Sequence, residues 1–286
     1  MEATKPQQTA KAVNAGHNVR GIKNAFLVII ACFIVAVCLF LFFFGHPSHF
    51  ELENADGITS MAFADVKANP TDLIGTIYMG GIIVPVLQTL FLTVIVLSVE
   101  RYIALSSAKG KGNITKFVKD IKSCLATNNI AKAQELCKQQ KGSVAAVVAA
   151  ALVRYEEMDK NTVLTKEQKV ATLQKEVEEA TAMEMPSLQQ NLPIVATLTT
   201  LGTLVGLLGT VMGMIKSFQA LAQSGAPDST ELSTGISEAL INTAFGIATG
   251  AFAVISYNFY TNKIDNLTYA IDEIGFSIVQ TFAATH

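Results

Sequence analysis

Two stretches decide how this chain folds: "GTLVGLLGTVMGM" at Gly202–Met214 and "GISEALINTAFGIATG" at Gly235–Gly250. Each belongs to an apolar run of the length a membrane span needs, roughly 18 or more residues without charge. Yet both are dense in glycine and threonine, which helix interiors in water disfavour. On a 3.6-residue wheel Thr199, Gly202, Thr203, Gly206, Gly209, Thr210 and Gly213 share one broad face, and Val205, Leu208, Val211 and Met212 lie elsewhere. Ala239, Thr243, Gly246 and Gly250 form a second line of small residues, at spacings of four, three and four. In lipid, where no hydrophobic force drives helices together, small residues so spaced let backbones approach closely. Spacing alone leaves two readings open: a tight helix-pair seam whose threonines bond to their own backbone, or a pore or partner groove lined by hydroxyls.

Composition agrees with a bilayer. Of 286 residues 50% are hydrophobic and 15% charged, against roughly 25% charged in an ordinary soluble domain. The net charge of -2 leaves no basic face able to neutralise several phosphates, so nucleic acid is excluded as a partner. Cys32 and Cys38 lie in an apolar run, and Cys124 and Cys137 in a lysine-containing region without histidine neighbours; all four read as structural, with no zinc spacing or disulfide framework. No metal or other cofactor is expected, and with no nucleophile–base pair or phosphate loop the chain does not read as an enzyme.

Four runs qualify as spans: Ala25–Phe44, Ile74–Leu97, Leu192–Ile215 and Ala239–Tyr260. The first is too long for the core of a signal peptide and is followed by "FFFGHPSHFELE", with no small-residue cleavage site, so it reads as a retained anchor. Lysine and arginine in the flanks set the orientation. Lys5, Lys11, Arg20 and Lys23 precede the first span, Arg101, Lys109, Lys111, Lys116, Lys119 and Lys122 follow the second, and Lys263 follows the fourth. Between Gly45 and Leu73 only Lys67 opposes Glu51, Glu53, Asp56, Asp65 and Asp72, and no Lys or Arg lies between Lys216 and Lys263. Both termini and the long middle segment are therefore expected inside.

That middle segment reads as helical. Apolar residues at Ile114, Phe117, Val118, Ile121 and Leu125, then at Ile130, Ala133, Leu136 and Cys137, predict a hairpin about the "TNN" turn. "KGSVAAVVAAALVRYEEM" is too short and too close to charge to span and is placed as a buried or interface-packing helix. From Thr165, capped by a Thr165–Gln168 box, a helix is expected to run into the third span, with Pro186 and Pro193 as kink points. The spans' middles carry no Asp, Glu, Lys, Arg or His, so if protons cross here another polypeptide must bring the carboxylate.

"GLLGTVMGMIKSF" and "GISEALINTAFGIATGAFAVISYN" resemble the signature of the MotA/TolQ/ExbB proton-channel family, in the form of ExbB-type subunits of the Ton energising complex; "VERYIAL" at Val99–Leu105 adds the Glu-Arg that ends the preceding span there. The similarity covers roughly Gln189 to Ile274. It implies an all-α, polytopic protein of the cell inner membrane with four transmembrane helices and a helical cytoplasmic domain. The expected division is a cytoplasmic N-terminus (1–24), a first span (25–44), a periplasmic segment (45–73), a second span (74–99), a cytoplasmic helical domain (100–185) and a proton-channel domain (186–286) holding the last two spans and a cytoplasmic C-terminus.

The resemblance further implies a homopentamer around a central pore, an ExbD-type single-span dimer in that pore with one intramembrane aspartate per copy, and a TonB-type protein that carries motion to outer-membrane import. Thr210 and Thr243 correspond to the pore hydroxyls that meet this aspartate and ease its ionised state, and Glu238 to the glutamate at the mouth of the last span. Glu238 also fits a simpler role at the positive end of a helix dipole. Thr203 stands where the family often has proline and Asn242 where it often has alanine, and both are placed as pore-lining. Gly202, Gly206, Gly209, Gly213, Gly246 and Gly250 are assigned to helix packing, and the first span, absent from the commonest three-span members, to the lipid-facing periphery. A TolQ-type envelope-maintenance unit shares this pore chemistry, and a flagellar or gliding stator shares the topology but needs a rotor-contacting charged face; a non-conducting scaffold would use the small faces for packing alone, and a transporter should show interrupted spans or inverted repeats.

Overall fold

The computed structural model describes residues 22, 24–51, 60–63, 70–223 and 229–285. Residues 1–21 and 23, residues 52–59 and 64–69 of the acidic segment after the first span, and with them Lys5, Lys11, Arg20, Lys23, Glu53, Asp56, Asp65 and Lys67, lie outside the described residues. Among the described residues the chain forms helices and no strand: α1 (Ala25–Cys38), continued by a π-helical turn Leu39–Phe44, α2 (Leu73–Tyr78), α3 (Ile83–Lys109), α4 (Ile114–Ala126), α5 (Ile130–Gln140), α6 (Gly142–Lys160), α7 (Lys166–Gln189), α8 (Leu192–Gln223) and α9 (Ser229–Thr285). Four of these runs are long and apolar enough to cross a membrane, and the chain is an all-α multi-pass membrane protein.

Residues 22–101 and 191–260 form one compact unit. Its core is Val94 and Leu97 of α3, Val195 and Leu198 of α8 and Ala253 of α9, with Val28 of α1 packed against it. Tyr260 Oη donates to the Ser98 carbonyl at 2.6 Å, and the Phe91 and Phe252 rings lie 5.9 Å apart. The helix α1 turns Ala25, Cys32 and Ala36 inward and leaves Phe26, Leu27, Phe33 and Ile34 exposed, as an outer helix in lipid should. At the far end of α3 a buried network ties the unit together. Arg101, fully buried, forks onto the Glu100 carboxylate, which also accepts from Ile22 N–H at 3.0 Å and Asn191 Nδ2 at 3.4 Å; Asn191 Nδ2 further donates to the Ile22 carbonyl at 3.0 Å. An ion pair out of water persists only when hydrogen-bonded on most sides, as here.

Residues 102–190 and 261–286 belong to the second unit. The α4–α5 turn falls at 127–129, where Asn128 has φ 51° and Asn129 Oδ1 caps α5. The alanine-rich α6 buries ten residues, among them Val144, Val148, Leu152 and Tyr155, and Tyr155 stands edge-on to Phe282 at 4.9 Å. Arg154 of α6 pairs with Glu157 on its own helix and with Glu176 of α7. The capping box at Thr165 and Gln168 is present. All four cysteines are free; burial pushes the Cys137 thiol up to about 12, which makes it inert.

Three expectations need correction. The second span does not run unbroken from residue 74: α2 ends at Tyr78 and α3 begins at Ile83, because Gly81 takes φ 74° and the chain turns at Gly80–Gly81. Asp72 caps α2, and the Gly75 N–H it accepts holds its carboxyl below the usual carboxylate range. Next, α7 does not continue into the third span. It stops at Gln189, and Asn191 at φ 61° separates it from α8. Pro186 sits inside α7 without ending it, and Pro193 occupies the first turn of α8, where an N–H would have no helical partner. Finally, α9 has 57 residues, about 85 Å at 1.5 Å per residue, so the helix of the fourth span starts well before Ala239 and extends far beyond Tyr260.

Asn191 thus combines a left-handed backbone with two side-chain hydrogen bonds. Asn191→Gly keeps the backbone and loses the bonds, whereas Asn191→Ala loses both, at an added ~1–2 kcal/mol. Thermal unfolding in detergent should rank wild type above Gly above Ala; equal loss in the two variants would contradict the backbone account.

Candidate functional site

The site is built on α8 and α9. In α8 the buried residues after Leu198 recur as Gly202, Gly206, Gly209, Gly213 and Ser217, one narrow line that faces α9. A methyl group at Gly206 would lie 2.9 Å from Gly246 Cα, one at Gly213 2.8 Å from the Gly235 carbonyl, and one at Gly250 2.8 Å from the Thr199 carbonyl. Gly202 meets Thr249 and the Gly246 carbonyl, and Gly209 takes the Asn242 side chain against its bare Cα. Real Cβ atoms do not tolerate such distances, so these glycines set the separation of the two helices. On either side of the seam large residues such as Leu204, Leu208 and Val211 of α8 and Leu240, Ile247 and Ile255 of α9 are exposed.

The threonines flank this seam. Thr203 is exposed and its hydroxyl donates to the Thr200 carbonyl at 2.8 Å; Thr210, half-buried, donates to Leu207 at 2.6 Å. Thr243, also half-buried, points across the seam and donates to the Gly206 carbonyl at 3.4 Å. The broad small face of the sequence therefore divides by depth: glycines in the contact, hydroxyls at its edge. Each hydroxyl proton is already used on a carbonyl, so what these side chains offer outward is lone pairs. They match a protonated carboxyl, which brings its own O–H. An ionised carboxylate would first require the hydroxyl to rotate away from its carbonyl.

Asn242 departs from the lining expected of it. One residue before Thr243, it is turned about 100° around the helix, is fully buried, and donates from Nδ2 to the Gly80 carbonyl at 3.0 Å. Its Oδ1 has no partner among the described residues. Glu238 is 7% exposed and its Oε1 lies 2.7 Å from Lys216 Nζ, a partner that residue spacing does not reveal. Because α9 begins at Ser229, Glu238 lies beyond the helix's first two turns, outside the reach of the N-terminal dipole. This ion pair stands at one end of the seam, and no cluster of three metal-ligating side chains occurs among the described residues.

Adding one methyl group tests the seam. Gly206→Ala and Gly246→Ala should each lower stability by about 1–3 kcal/mol through helix separation, seen as an earlier thermal transition in detergent, while Ala substitution at exposed Leu204 should leave the transition within about 0.5 kcal/mol.

Comparison with known proteins places this helix pair. The Tol-Pal system protein TolQ of Pseudomonas aeruginosa is 38% identical over 88 residues, 31% of this chain and 38% of that protein. TolQ of Haemophilus influenzae is 42% identical over 77 residues, 26% of this chain and 33% of that one. The biopolymer transport protein ExbB of Salmonella typhimurium is 31% identical over 84 residues, 29% of this chain and 34% of that one. The chain therefore spans between 33% and 38% of the length of these relatives. Residues 139–273, which include the whole glycine seam, match the profile of the MotA/TolQ/ExbB proton channel family.

Proposed function

We propose that this chain is the pore-forming subunit of a proton-driven inner-membrane motor that, with an ExbD-type partner, energises TonB-dependent transport across the outer membrane. The observation that carries the reading is a division of labour in α8 and α9. Glycines hold the pair together, Thr210 and Thr243 stand at the seam's edge, and no Asp, Glu, Lys, Arg or His lies between the Lys216–Glu238 pair at one end and Lys263 beyond the other. A proton moving along such a surface needs a carboxyl from another chain. In this reading a homopentamer surrounds a pair of single-span partners, each with one intramembrane aspartate.

The mechanism follows from what the hydroxyls offer. A bare carboxylate in the bilayer interior costs roughly 2.5–3.5 kcal/mol, so the partner's acid enters protonated and donates its O–H to Thr210 or Thr243. Release of the proton demands that the hydroxyl turn its own hydrogen from the helix carbonyl to the carboxylate. Each turnover then exchanges one hydrogen-bond arrangement for another, and the partner shifts relative to the ring. A TonB-type protein carries that motion outward.

A Tol-type role in envelope maintenance is the second reading. It is supported as well as the first by the identities to TolQ, 38% and 42%, which lie close to the 35–37% shared with other ExbB and ExbB-like relatives. Partners distinguish the two, since the pore chemistry is shared. For either, Thr210→Val or Thr243→Val should leave assembly intact and reduce proton flux into vesicles about 10- to 100-fold, the equivalent of one hydrogen bond to a charged group, 1.5–3 kcal/mol. Full flux in both variants would remove the hydroxyls from the path.

A further inference from the structure

Glu238 lies at an end of its span, where water is normally near, and its ion-pair partner Lys216 has a half-exposed side chain (51%), yet the Glu238 side chain is only 9% exposed. What covers it is the break between α2 and α3. A Cβ at Gly81 would sit 2.5 Å from Glu238 Oε1 and 3.5 Å from Lys216 Nζ, and Gly81 also needs its φ of 74°. Only glycine brings the chain this close over the carboxylate. One turn further along the same face of α9, Asn242 donates to the Gly80 carbonyl. The backbone bonds of the break stay within it: Gly80 N–H to Ile77, Gly81 N–H to Tyr78 and Val84 N–H to Gly81. On the opposite side Ile82 is 82% exposed, so no described residue packs the break down from above. Upstream, Tyr78 stacks on Phe40 of the π-helical turn at 4.7 Å and meets Phe50 edge-on at 5.7 Å, which anchors the near end of the break to the end of the first span.

We propose that the Gly80–Gly81 break is a cover over the Glu238 carboxylate, latched to α9 by Asn242, and that it controls access of water and protons to that carboxylate. Asn242 is then a positioning residue. It keeps its amide nitrogen on the break and does not line a pore, which accounts for an amide buried where alanine would pack as well. The first span, through Phe40, and Phe50 beyond it become the lever that holds this cover. The inference rests on the channel reading only in giving the carboxylate a task; the cover itself does not depend on it.

The test measures Glu238 directly. The full chain, in complexes purified from its own membranes, is treated with a water-soluble carbodiimide and a small amine, and modification is quantified by mass spectrometry, with Glu100, 8% exposed, as the internal reference. Asn242→Ala, and Asn242→Asp, which keeps the volume but replaces the donor, should raise Glu238 modification about tenfold, the equivalent of one lost hydrogen bond, with Glu100 unchanged. Unchanged Glu238 modification in a folded Asn242→Asp protein would overturn the cover, as would a parallel rise at both glutamates, which signals general loosening. Proton flux per complex in vesicles should change with Glu238 exposure; higher exposure with wild-type flux would overturn the control of access. Absence of flux in the wild type would instead count against the channel function, while the labelling still decides the cover.

Discussion

The approach of two backbones at Gly206 and Gly246 is the constraint from which the rest of this membrane unit follows. Burial of apolar surface gains nothing between helices already in lipid, so association rests on close contact of atoms and on hydrogen bonds. With a methyl group at either glycine the axes would have to part, as the 2.9 Å and 2.7 Å separations from such a group to the facing Cα show. Drawn this close, α8 and α9 bring Thr243 Oγ1 to the Gly206 carbonyl and set Asn242 against Gly209. The polar atoms at the seam are there because there is no side chain between the helices to keep them apart.

Buried polar groups are treated differently at the two ends of this unit. Near Arg101, a full set of partners satisfies the Glu100 carboxylate: a guanidinium, a backbone N–H and the Asn191 amide. Near Glu238 there is, among the described residues, one ammonium partner, and the Oδ1 of the neighbouring Asn242 has no partner among them. The first arrangement fixes a helix end and holds the chain entering the first span. The second is less completely satisfied, and such places are where conformational change costs least.

Much of this was legible in the sequence. Charge-free runs announce spans whatever their tertiary partners, and the glycine spacing announces a close helix contact. The turn at 127–129 and the Thr165–Gln168 cap are local chemistry and were readable as such. The break at Gly80–Gly81 escaped because a hydropathy window sees only apolar residues on both sides; the Gly-Gly pair was the available signal. Likewise the prolines drew attention from Asn191, although an asparagine just ahead of a helix-start proline is a favourable place for a left-handed residue. The direction of Asn242 was not legible at all, since its position on the wheel admits both the seam and its edge, and the Gly80 carbonyl that holds it is 162 positions away. Lys216 and Glu238 are each conspicuous in the sequence but not as a pair, because ion pairs between helices have no sequence period.

The match to the family profile spans the seam, and the chain's own residues show how it is made. A proton path along the α8–α9 seam requires an acid from outside the chain, because neither α8 from Leu192 to Lys216 nor α9 from Glu238 to Lys263 carries a carboxyl in its interior. The most direct measurement is native mass spectrometry of the tagged protein taken from its own membranes. Several copies of this chain, five for a homopentamer, should retain a small single-span protein with an intramembrane aspartate or glutamate. A stable homo-oligomer that never retains such a partner, whatever the detergent or lipid used, would contradict the proton-driven function.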